Sequence, residues 1–133
     1  MESLAIELLN IIKEFVIFKP KTKKDLEYAV TFWCHNKDKA LIKYNHISNW
    51  DTSLITDMSE LFKFKYEFND NISRWDVSSV TNMDRMFEEA EKFNQPLNSW
   101  DVSKVTSMCG MFYHAKSFNQ PLDSWDVSKV TTM

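Results

Sequence analysis

Four aspartates recur at a fixed interval and are the sharpest polar feature of this 133-residue chain: Asp51, Asp76, Asp101 and Asp126. A row of carboxylates at one stacking position could bind a cation such as Ca²⁺ or attract a basic partner. Like charges in adjacent rows repel unless something compensates them. The competing reading gives each carboxylate to a nearby Ser hydroxyl or backbone N–H, as in an Asx turn. Identity between rows favours this structural reading, because a site for an irregular partner varies along its length. Asn69, Asn94 and Asn119 form a second such file and read as a turn-stabilising ladder.

Nucleophilic chemistry finds little material. His35, His46 and His114 are scattered. Tyr113 and His114 follow Cys109 closely enough to raise a Cys–His pair, but Cys109 takes the place held elsewhere by Ser59 and Asp84, an ordinary variable position. Cys34 and Cys109 are the only cysteines and form no C-x-x-C motif, so two reduced thiols are expected. Glu88, Glu89 and Glu91 read as a solvated face. A single Gly leaves no material for a phosphate-cradling loop. No catalytic residue, cofactor or metal is assigned, and the chain is expected not to be an enzyme.

The elements that must position these residues follow from a 25-residue period. Trp50, Trp75, Trp100 and Trp125 each precede one of the aspartates. Met58, Met83, Met108 and Met133 keep the register, as do Phe62, Phe87 and Phe112 and then Phe68, Phe93 and Phe118. Residues 75–99 and 100–124 share 16 identities in 25 without a gap. Such a period marks a stacked array, because one turn cannot bury its own apolar side. The methionines, at one stacking position, fill core space, and the indoles point inward. The Leu97-x-x-Trp100-x-Val102 spacing matches leucine-rich repeats. Alternation across Trp100–Val102 predicts a short strand. Met108–Lys116 predicts helical or 3₁₀ turns, and the Asn-Gln-Pro runs at 94–96 and 119–121 predict turns.

The stretch FNQPLNSWDVSKVTSMCGMFYHAKSFNQPLDSWDVSKVT resembles the BspA-like leucine-rich repeat surface-protein family, with its tandem repeats in mycoplasma and Listeria surface lipoproteins, protists and large DNA viruses. The resemblance covers residues 46–133. It implies an α/β repeat: an LRR-like right-handed solenoid of about four 25-residue turns, with a binding or adhesion role and no enzymatic activity.

Residues 1–45 read as a helical N-terminal cap segment and 46–133 as the repeat. The first part carries eight Lys and six acids, the rest eight Lys or Arg and 13 acids, so the two differ in sign. Leu4, Ile6, Leu8, Leu9, Ile11 and Ile12 predict a helix over 2–14, apolar on more than one stripe and so either buried or set against a partner. Phe15–Phe18 predicts a short strand. Thr22 predicts the N-cap of a helix over 23–35, with Leu26, Ala29, Val30 and Trp33 on one side. Asn36 predicts the cap of a second helix reaching Tyr44.

The varying positions are the recognition candidates. On the strand face these are Asn49, Arg74, Ser99 and Ser124, then Leu54, Ser79, Lys104 and Lys129. On the opposite side they are Lys63, Glu88 and Tyr113, with Phe64, Glu89 and His114. The expected function is non-enzymatic protein–protein interaction. Two alternatives are an assembly component joined through exposed solenoid ends and the first helix, and a cation- or carbohydrate-binding adhesin module. A net charge of −3 argues against nucleic acid. No apolar run is long enough to span a membrane. The acidic N-terminus does not read as a secretory signal, which favours an intracellular or virion-associated setting.

Overall fold

Thr22 fixes the start of the first long helix. Its hydroxyl accepts a hydrogen bond from the Asp25 N–H at 3.1 Å, and the Asp25 carboxylate accepts from the Thr22 N–H in return at 3.3 Å. This capping box satisfies donors that a helix start leaves free. Helix α1 runs Lys23–His35 and buries Leu26, Ala29, Val30 and Trp33, the positions that its 3.6-residue period marks. Asn36 ends α1 and caps α2, Lys37–Tyr44, through a bond from the Lys39 N–H at 3.2 Å. The computed structural model describes residues 3–8 and 16–133.

Residues 3–8 are helical, and Leu4, Ile6 and Leu8 are exposed. The rest of the helix expected over 2–14 lies outside the described residues, as does Phe15. Residues 16–18 form no strand. Instead the Phe18 carbonyl accepts from the Asp51 N–H at 2.9 Å, and its ring packs on Tyr44 and Trp50 at centroid distances of 4.5 and 5.2 Å.

From Ile47 the chain piles up in 25-residue rungs: 47–71, 72–96, 97–121 and 122–133. Each rung repeats the same contacts on its neighbour. The Thr81 N–H donates to the Thr56 carbonyl, Thr106 to Thr81, and Thr131 to Thr106, at 2.7, 2.8 and 2.9 Å. In the other direction Met58 donates to Asn82, Met83 to Ser107 and Met108 to Thr132, all at 2.9 Å. Phe62, Phe87 and Phe112 lie nearly parallel at 5.4 and 5.5 Å between centroids, and Phe68, Phe93 and Phe118 at 5.7 and 5.9 Å. Parallel rings that far apart are offset stacks, each worth about 0.5–1.5 kcal/mol beyond the area they bury.

The right-handed LRR-like α/β solenoid expected from the sequence is not what forms. The described residues contain no strand and no sheet. They contain isolated parallel bridges at Asp57–Asn82, Asn82–Ser107 and Ser107–Thr132. The reason lies in where the donors go. A strand ladder needs successive inter-rung bonds. Here the Trp100 N–H turns back to Leu97, the Ser103 N–H goes to the Asp101 carboxylate, and the Val105 N–H turns back to Val102. Too few donors remain for a sheet.

The helical turns expected over Met108–Lys116 are also absent. In the matching segment of the first rung, N–H groups alternate. Leu61, Lys63 and Lys65 bond three residues back, whereas Glu60, Phe62 and Phe64 donate forward to Asp84, Met86 and Glu88. The alternation requires left-handed backbone at two places per rung: Glu60 and Phe64, Arg85 and Glu89, Gly110 and His114, with φ between 53° and 62°.

Candidate functional site

The aspartate file is used internally. The N–H of Ser53, Ser78, Ser103 and Ser128 donates to Asp51, Asp76, Asp101 and Asp126 at 2.9–3.0 Å. Hydrogen bonds from the Ser hydroxyl and then the Ser N–H hold the Asp51, Asp101 and Asp126 carboxyls below their ordinary range, and nearby Lys19, Lys104 and Lys129 act in the same direction. Among the described residues no group of three or more His, Cys, Asp or Glu is placed to hold a metal ion. The asparagine file is equally committed. Asn69 Oδ1 accepts from the Asn94 N–H at 2.9 Å, and Asn94 Oδ1 accepts from the Asn119 N–H at 2.8 Å.

The indoles lie in the core. Trp50, Trp75 and Trp100 are 2–3% exposed, and Trp125 is half-buried. Trp50 and Trp75 stack at 6.2 Å. Each indole N–H also reaches the preceding layer: Trp75 to the Ile47 carbonyl, Trp100 to Ile72 and Trp125 to Leu97, at 2.8, 3.0 and 2.9 Å. Trp50 has no earlier rung and bonds the Tyr44 carbonyl at the end of α2, at 2.9 Å.

The variable residues divide into two groups. Several are tied between rungs. Arg74 donates to Asn49 at 3.0 Å, Ser99 to the Ser73 carbonyl at 3.0 Å, and the Ser124 hydroxyl to the Asn98 carbonyl. On the opposite wall His114 bonds Glu89 at 2.7 Å and stacks on Tyr113. Lys63, Lys92 and Lys116 pair with Glu88, Glu67 and Glu91 on neighbouring rungs, and Arg85 pairs with Glu88 inside its own. Ser79, Lys104 and Lys129 make no side-chain hydrogen bond and no close ion pair among the described residues. They form one outward column with the exposed Leu54.

Cysteine chemistry gains nothing from this geometry. Cys34 and Cys109 are free thiols. Burial pushes the Cys34 thiol up to about 11, away from the thiolate that a nucleophile needs. Cys109 uses its N–H to bond Asp84 at 2.8 Å, a rung-to-rung contact.

The sequence did not single out a cavity of about 460 Å³ between the end of α1 and the first rung. Trp33, Cys34 and Lys37 line one side, and Phe64, Lys65 and Tyr66 the other. Its signal was present in the repeat: Lys65 stands where the later rungs carry Ala90 and Ala115.

The chain matches a protein family over residues 31–133, described as "Mycoplasma protein of unknown function, DUF285". It belongs to that family. No curated protein and no solved structure matches it. No helix among the described residues is long and apolar enough to cross a membrane.

Proposed function

We propose that this protein is a non-enzymatic protein-binding module whose stacked rungs present a rigid outer column. The observation that carries the reading is the Leu54, Ser79, Lys104 and Lys129 column. It passes from an apolar to a polar to a cationic residue over the first three rungs, with lysine again on the fourth, while contributing no side-chain hydrogen bond to the stack. The backbone beneath it is held by the threonine bonds and the bonded aspartates, so docking there orders few groups, and less of the contact energy is lost to entropy. The likeness of the repeat residues to BspA-like surface proteins supports a binding role.

The test is capture of a partner from the native host by the intact chain. The Lys104→Ser/Lys129→Ser variant, which installs the residue the second rung carries and adds no like charge beside Asp101 and Asp126, loses a stoichiometric partner while staying folded. A Lys24→Glu control on α1 keeps it. Equal retention by all three proteins contradicts the reading.

A second reading, assembly through the face of the fourth rung, has one observation in its favour. An apolar hollow of about 400 Å³ opens there between Met108, Phe112, Leu122, Trp125 and Met133. Light scattering whose mean size grows with concentration, and does not grow for Trp125→Ser, supports it. A size independent of concentration opposes it.

A further inference from the structure

The first rung departs from its successors where it faces α1. Ala90 is fully buried at the position that Lys65 fills. The later rungs stack without a charge there, so stacking does not require one. Lys65 is half-buried, and its ammonium makes no hydrogen bond or ion pair among the described residues. Its lysine neighbours differ: Lys37 pairs with Asp70 at 2.9 Å, Lys63 with Glu60 at 3.5 Å, and Lys92 with Glu67 at 3.2 Å.

The cavity beside Lys65 is of ordinary small-molecule size; such sites span roughly 300–1,000 Å³. Phe64 and Tyr66 stack at 6.3 Å between centroids and are about half exposed; the Lys63 ammonium lies over the Phe64 ring at 5.0 Å, so Tyr66 offers the freer aromatic surface. The carboxylates in the lining are already engaged. Asp70 accepts from the Trp33 indole and from Lys37, both at 2.9 Å, and Glu67 holds Lys92. What remains open is one ammonium beside a pair of half-exposed aromatic rings.

We propose that this cavity binds a small aromatic carboxylate, with its anionic end on Lys65 and its ring against Phe64 and Tyr66. A carboxylate fits better than a phosphate ester. One ammonium balances one negative charge, and the lining holds neither an arginine nor a glycine-rich loop to take the further oxygens of a dianion. The binding is non-covalent.

Benzoate titrated into the intact chain, followed through the indole N–H resonance of Trp33, tests the assignment. The expected result is a saturable shift. Neutral benzamide binds far more weakly, and phenyl phosphate no more tightly than benzoate. Lys65→Ala installs the residue that the later rungs carry; it keeps the thermal midpoint and weakens benzoate by about tenfold or more, the loss of roughly one charge-assisted contact. Lys65→Met, which keeps the aliphatic stem, replaces it if the alanine variant fails to fold. No saturable shift, equal benzoate affinity in the folded Lys65 variant, benzamide matching benzoate, or phenyl phosphate binding more tightly each overturns the proposal.

Discussion

The indole N–H of Trp75 donates to the carbonyl oxygen of Ile47, 28 residues earlier, at 2.8 Å. This bond joins the two features that define the architecture. It closes a buried polar group that would otherwise be orphaned, and it fixes the register of one rung on the next. The same bond recurs at Trp100 and Trp125. At Trp50 it is made to the end of α2, so the helix pair supplies the carbonyl that an earlier rung would give.

Trp75→Phe therefore removes the indole donor, while the Ile47 carbonyl keeps the Trp50 backbone N–H at 3.3 Å. The expected destabilisation is about 1–3 kcal/mol, combining one lost hydrogen bond with a small cavity. Trp125→Phe, at a half-buried site, costs less than half as much. Urea unfolding of both variants checks the order; equal losses contradict it.

The asparagine ladder runs one way. Asn69 and Asn94 each accept from the rung that follows, through their side-chain oxygens. Asn69→Ala and Asn94→Ala are each expected to cost about 1–2 kcal/mol. Asn119→Ala, whose side-chain oxygen has no such donor among the described residues, is expected to be within about 0.5 kcal/mol of the parent. Chemical denaturation distinguishes the three.

Glu60 holds left-handed backbone, φ 61°, where the third rung uses Gly110. Glu60→Gly relieves that conformation and raises stability by about 1 kcal/mol at most, after the exposed Glu60–Lys63 pair and the added glycine entropy are set against it. Gly110→Ala has the opposite sign. Its Cβ meets Arg85 Cγ at an ordinary 3.5 Å, so the loss comes from the backbone and not from a clash. Thermal melts read both signs.

Asp51, Asp101 and Asp126 have carboxyls lowered from an ordinary 3.8 in the folded chain. Their contribution is therefore fully present above that value and is lost as pH falls through the lower folded values. Asn at all three positions keeps the side-chain acceptor and removes the titration. The triple variant is expected to show a flatter fall of melting temperature below about pH 4, where unfolded carboxylates begin to protonate. An unchanged acid limb contradicts the assignment.

The helices and the vertical files of side chains were legible in the sequence. Thr22 with Asp25, and Leu26, Ala29, Val30 and Trp33 at helical spacing, define α1; a 25-residue period places like residues over like. The path of the main chain within a rung was not legible. Over the three to five residues of Trp100–Val102 or Met108–Phe112, side-chain spacing is the same for a strand, a helix turn or linked tight turns. Only the destination of each N–H separates them. Left-handed positions were hidden for a similar reason: Gly110 announces one, but Glu60, Phe64, Arg85, Glu89 and His114 do not. Of the recognition candidates, Arg74, Ser99, Ser124 and His114 were drawn into inter-rung bonds that no single-rung reading shows. Lys65 needed the reverse comparison, one rung's exception against its neighbours.

The measurement that bears most directly on the stacked register is hydrogen exchange and nuclear Overhauser contact at the four repeat indole N–H groups. The account predicts slow exchange at Trp50, Trp75 and Trp100, faster exchange at Trp125, and cross-peaks from the Trp75 indole N–H to Ile47 and from that of Trp100 to Ile72. Indole protons that exchange at the rate of a free side chain, with no contact 28 residues back, would contradict it.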